Sequence, residues 1–163
     1  MRMLLLAGAV AVAVLAGVVV VGLRLAGDDD PKWAEHASAA CERGLEESRG
    51  AVAATRSVTP VEQRALQLFT AATEIESTVL AELQALRRPT ADEVAIERAL
   101  DIIADAHNAD LLLIGRLRQN FDARLFERRV NAALPVSDDL RRRFESLGAD
   151  GCVLYYDPMS YAS

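Results

Sequence analysis

At 163 residues, with 52% hydrophobic and 26% charged side chains, the chain has room for one ordinary domain and one special segment. A formal charge of −6 disfavours nucleic acid, whose phosphates require a basic surface. Two cysteines and two histidines, with no Cys-x-x-Cys and no Glu-x-x-His, supply neither a clustered metal site nor a redox motif, and no cofactor is expected.

The first element is "MLLLAGAVAVAVLAGVVVVGL", residues 3–23, which holds no charge, no hydrogen-bonding side chain and no proline. As a helix it would run roughly 31 Å, enough to cross the roughly 30 Å hydrocarbon core of a bilayer. A cleaved signal peptide is the competing reading. Its apolar core is usually about 7 to 15 residues, and a cut after Ala26 would put Arg24 where a small residue is wanted, so an uncleaved anchor is favoured. Ala9, Ala13 and Gly17 form a small-residue stripe through which two anchors could pair, although small residues are ordinary in membrane helices. The expected division is an anchor over 1–27, a helical domain over 28–150 and a tail over 151–163.

Cations flank the apolar segment on both sides, with Arg2 before it and Arg24 and Lys32 after, so the positive-inside rule does not orient it. Cysteine usage does. Cys41 and Cys152, with no cluster around either, suit one structural disulfide, which belongs to an oxidising compartment; two unrelated buried thiols are the alternative. The expected location is the cell membrane, single-pass, with the N-terminus cytoplasmic and residues 28–163 outside, or secreted if the segment is cleaved.

Beyond the anchor the punctuation is helical. Asp30 is placed to cap a first helix with Pro31 at its first position, and Trp33, Ala37, Cys41, Leu45, Ser48, Val52 and Thr55 share one face. "TPVE" reads as a capping box from Thr59 to Glu62. The second helix then carries a stripe of Val61, Ala65, Leu68, Ala72, Ile75, Val79, Leu83 and Leu86 before Pro89 ends it. "TADE" repeats the device with Thr90 and Glu93, and the third stripe runs Ile96, Leu100, Ile103, His107, Leu111, Ile114, Leu117, Phe121.

Residues 91–134 allow one long helix or two. A reversal near Gln119 and Asn120 leaves a fourth helix over 121–147, interrupted at Pro135 and recapped by Ser137. That reversal equalises the helices, and the expected fold is all-α: an N-terminal transmembrane helix followed by an antiparallel up-down four-helix bundle. In that topology Gly148 ends the last helix near the level of Cys41, and Cys152 can reach it.

"W..H.S..C" in the first helix, "AELQALRRP" in the second and the closing "SLGADGC" resemble small exported helical proteins of actinobacteria, in which the last helix ends in a leucine-glycine turn followed by a cysteine. The resemblance implies a helical fold and an exported location and carries no activity.

Chemistry is sparse. His107 has Asp110 one turn on, with Glu76 from the second helix and Ser48 from the first at similar height. Three readings compete: a buried histidine satisfied by a carboxylate, which is favoured, a pocket for a small polar ligand, and a metal site. His36 lies too far along the bundle to share a metal with His107. No Gly-x-Ser-x-Gly, glycine-rich phosphate loop or His-Glu-x-x-His is present, so no catalytic residue is assigned and a metal-dependent enzyme is the least favoured function.

All 24 acidic residues and 16 of the 18 basic ones follow residue 27, a balance of −8. Residues 28–97 hold 14 acids and 7 bases, whereas 116–143 hold 8 arginines and 4 acids. Pairing of those arginines with the acidic flanks of the first and third helices is favoured over an exposed basic surface that meets an envelope protein or anionic polymer. Tyr155, Tyr156 and Tyr161 are expected to cap the membrane-side end of the bundle or to lie at the membrane interface, with disorder of the last few residues as an equal alternative. The function expected on these grounds is a non-catalytic, membrane-anchored interaction module of the cell envelope, with a receptor for a small polar ligand around His107 and Asp110 as the alternative.

Overall fold

The computed structural model describes residues 32–161. Four long helices, α1 (Trp33–Thr55), α2 (Val61–Ala85), α3 (Glu93–Gln119) and α4 (Ala123–Ser146), are followed by a short α5 (Asp150–Tyr155) and a 3-10 turn (Pro158–Tyr161), and no strand occurs among the described residues. The apolar segment 3–23, the cap at Asp30 and the proline at 31 lie outside the described residues, within which no helix is long and apolar enough to cross a membrane.

Each long helix packs on the next; Arg64 Nη1 near the start of α2 donates to the Arg56 carbonyl just after α1 at 3.2 Å, while Arg43 at the middle of α1 pairs with Glu82 near the end of α2, as antiparallel neighbours do. α1 and α4 share no extensive interface. Instead α5 packs against both, so the bundle is completed by residues after 150 rather than by the fourth long helix. The stretch expected as a tail is therefore part of the core: Tyr155 and Tyr156 are buried, Tyr161 donates its hydroxyl to the Tyr155 carbonyl, and Arg49 Nε donates to the Ser160 carbonyl at 3.0 Å.

The turn into α5 is set by two glycines. Gly148 adopts φ +70°, while Ala149 N–H donates to Phe144 O (2.9 Å) and Gly148 N–H to Glu145 O (3.1 Å), the two bonds of a Schellman stop. Gly151 then lies so close to α1 that a Cβ there would run into the Ser38 backbone, and its N–H donates to Ser38 Oγ at 3.2 Å. This approach brings Cys152 to Cys41, with the Cα atoms 4.9 Å apart in a disulfide whose residues are 0% exposed. The core around it is built from Trp33, Ala37, Leu83, Ile96, Ile103 and Phe144, with the Phe144 and Tyr156 rings stacked at 5.7 Å.

Several local expectations are corrected. Neither capping box forms: the cap positions of α2 and α3 fall on Pro60 and Asp92, one and two residues after the expected threonines, and neither makes a side-chain cap bond. The side-chain cap lies instead on α4, where Asp122 accepts from Leu125 N–H at 3.0 Å. α4 also runs unbroken through Pro135, with no interruption or recapping at Ser137. A proline removes one helix bond and crowds the preceding turn; beyond it Val136 and Leu140 pack α4 against the core. On α3, Leu111 is 50% exposed and Leu113 takes the buried position, since the inward row passes through Asp110 and leaves Leu111 on the flank.

Candidate functional site

The second stripe loses its burial towards the start of α2: Val79 and Leu83 are core, whereas Leu68, Phe69 and Ala72 face open space. That space is a half-open cavity of about 430 Å³ between the helices. α1 contributes Ser48, Ala51 and Val52, α4 contributes Val130, Ala133 and Val136, and Tyr155, Tyr156 and Tyr161 close one side. It lies where α1 and α4 fail to meet. Alanines at 51, 72, 106 and 133 contribute to it, because short side chains on four facing helices cannot fill the space between their backbones.

Three charged groups line it: Glu76 from α2, Asp110 from α3 and Arg129 from α4. Arg129 Nε donates to Asp110 Oδ1 at 2.5 Å, and its Nη2 donates to the Ala106 carbonyl at 3.1 Å. Both partners are largely buried, with side chains 16% and 14% exposed, so the pair is desolvated and specifically oriented. Burial raises Asp110 above its ordinary carboxylate value, and the Arg129 guanidinium pulls it back.

Glu76 has no such partner. Its nearest ionic neighbour among the described residues is His107 Nδ1 at 3.7 Å, beyond hydrogen-bond reach, and that nitrogen has no hydrogen-bond partner. Desolvation, with Asp110 adding repulsion, raises the Glu76 carboxyl to about 7, only partly offset by Arg129. Burial likewise raises all three tyrosines, with Tyr161 at about 12.

The structure thus brings together Glu76, Asp110 and Ser48, the last 7% exposed. It places His107 behind Glu76 rather than in the lining, and leaves the exposed His36 apart. Among the described residues no group of three or more His, Cys, Asp or Glu side chains is placed to hold a metal ion. Arg129 was not singled out from the sequence, and the tyrosines, expected to cap the bundle end or meet the membrane, line the cavity. A signal for Arg129 existed, since Phe126, Arg129, Ala133, Val136, Leu140 and Phe144 recur at three- and four-residue steps with one charge in the row.

Among the described residues the arginines of 116–143 make no ion pair with α1, and of the expected pairing with the third helix Arg129 supplies one instance. Arg129 crosses to α3 and Arg141 to Asp157 at 3.9 Å, while Arg142 and Arg143 pair within α4, both to Asp139. Those two guanidinium groups hold the Asp139 carboxyl below its usual range. Comparison with family models, with curated proteins and with solved structures finds no match, and the geometry alone carries the reading of this cavity.

Proposed function

We propose that the chain is a non-catalytic binding module displayed outside the cytoplasm, in which residues 3–23 span the bilayer and the antiparallel up-down bundle beyond them receives a small amphipathic ligand. The observation that carries this reading is the cavity: about 430 Å³, walled largely by apolar and aromatic side chains, with Glu76, Asp110 and Arg129 at fixed points. Ligand sites share that composition, an apolar enclosure with a few placed polar groups, and occupy roughly 300 to 1,000 Å³. A disulfide at the centre of the core supports the oxidising location, as does the resemblance to exported helical proteins. Both thiols are consumed by that bond, which supports binding rather than nucleophilic chemistry.

The full chain in lipid nanodiscs is expected to enhance the fluorescence of the neutral dye N-phenylnaphthylamine beyond that of empty nanodiscs. Ala72→Phe, which fills the lining from an exposed position, is expected to remove the excess while keeping the helical circular dichroism. An excess that Ala72→Phe leaves in place would mean that the dye binds elsewhere and would sink the proposal.

A second reading keeps an envelope protein or anionic polymer as partner. Arg116, Arg118, Arg124 and Arg128 are exposed at the end of α3 and the start of α4, which supports a basic surface there. Its check is salt-dependent retention of the full chain on an anionic polymer such as heparin, lost when the four are replaced by Gln.

A further inference from the structure

Of the three charged groups lining the cavity, two satisfy each other. Arg129 commits Nε to Asp110 and Nη2 to the Ala106 carbonyl, which leaves the pair without net charge. Glu76 is reached by no hydrogen bond among the described residues, although its side chain is only 17% exposed. The cavity therefore carries one carboxyl that accepts no hydrogen bond among the described residues, with the His107 imidazole at 3.7 Å as its ionic neighbour, in a wall whose other polar groups, beyond the Asp110–Arg129 pair, are Ser48, Thr73, Ser137 and the tyrosines. Buried carboxylates are normally hydrogen-bonded or paired. One that faces a space large enough for a ligand, with its nearest donor beyond hydrogen-bond reach at 3.7 Å, marks the point where a ligand supplies a donor.

We propose that the cavity binds a small organic monocation, a primary or secondary amine on an apolar body, with its ammonium seated against Glu76. This rests on the reading of the cavity as a ligand site and adds the charge of what enters it. A carboxylate or phosphate ligand would meet Glu76 as a like charge and would have to break the Asp110–Arg129 pair to find a cation. A neutral ligand would leave Glu76 as unsatisfied as it is now. A metal ion would need a cluster of ligands that the described residues do not form. Phe69, Tyr155 and Tyr161 add ring faces and edges to the lining, and aromatic faces attract an ammonium with an apolar substituent. The carboxyl's rise to about 7 follows from the same deficit, since burial without a donor disfavours the charged form and a bound cation would restore it.

The test is isothermal calorimetry of the full chain in nanodiscs, with empty nanodiscs subtracted. Three probes share one ring and one chain: phenethylamine, phenethyl alcohol and hydrocinnamate. Phenethylamine is expected to bind at least about tenfold more tightly than the alcohol, as a desolvated charge-assisted bond implies, and hydrocinnamate least tightly. Glu76→Gln keeps the shape of the cavity and removes the charge, and it is expected to bring the amine to within about twofold of the alcohol.

The inference is overturned if the alcohol or the acid equals the amine, or if the preference for the amine survives Glu76→Gln. In those cases the ligand site itself stands, provided that Ala72→Phe abolishes the binding. Dye enhancement with no binding of any of the three probes also overturns the inference and leaves the ligand site. Absence of both dye enhancement and probe binding removes the two together.

Discussion

The disulfide end of the bundle and the cavity above it are made from the same four helices, yet they are filled differently. At the disulfide end, bulky side chains such as Leu83, Ile96, Ile103 and Phe144 reach 0% exposure, and α5 occupies the space between α1 and α4. Higher up, the facing positions are alanines, Val52, Leu68 and Val130, and the C-terminal tyrosines close one side without filling the space. The difference teaches that the helices are held in place at one end, and that this leaves the middle free to remain unfilled. Empty apolar volume costs stability, so a region that keeps it relies on a region that does not.

Removing the staple should break that reliance most severely. Cys41→Ala with Cys152→Ala is expected to lower the unfolding free energy by about 4.7 kcal/mol, the chain-entropy value for a loop near 100 residues, read by urea denaturation. Because α5 carries Tyr155 and Tyr156 into the cavity lining, dye binding is expected to fall as well.

Paired truncations should sharpen the contrast. Leu83→Ala, in the packed end, is expected to cost about 3 to 5 kcal/mol, whereas Leu68→Ala, whose removed atoms already face open space, is expected to cost about 1 kcal/mol or less. Equal losses at the two sites would contradict the division drawn between them.

The charge in the cavity should reveal itself through pH. Glu76 titrates at 4.5 ordinarily and at about 7 in the fold, so the folded state holds a proton that the unfolded state has released between those values. Stability is expected to fall as pH rises from about 4.5 to 7, by on the order of 3 kcal/mol, and to level off above that. Asp110, His107 and Arg129 face Glu76 from α3 and α4, and the three tyrosines face it from the C-terminal elements, so Glu76→Gln is the measurement that isolates its share. Denaturation curves for that variant should flatten across the same window. The smallest effect is expected from His107→Leu. It lies outside the lining and should leave dye binding intact, with stability within about 1 kcal/mol of the parent.

Much of the packed end was legible in the sequence. The row Trp33, Ala37, Cys41, Leu45, Ser48 is buried as its spacing implies, the reversal falls at Gln119 and Asn120, and the glycine after α4 turns the chain back toward Cys41. The capping boxes were not. Thr59 and Thr90 have suitable side chains, but a cap needs the hydroxyl at one backbone position, and a shift of one or two residues in helix start removes it. The cavity was least legible, because hydrophobic periodicity says which side of a helix faces inward and says nothing of how far away the opposite wall stands. Glu76 and Asp110 were singled out as neighbours of a histidine, whereas the stronger partner was Arg129, obscured by a run in which arginine is common.

The long reach of the Cys41–Cys152 bond has a mechanical consequence. Tension applied between the start of α1 and the C-terminal turn would pass along α1 to Cys41, across the sulfur bridge, and out through Cys152. The 110 residues between the two cysteines, with α2, α3, α4 and the Glu76 wall of the cavity, would hang beside that path as an unloaded loop. The covalent bond thus shields the α2, α3 and α4 walls of the cavity from the pull, whereas Tyr155, Tyr156 and Tyr161, which follow Cys152, stay on the loaded path.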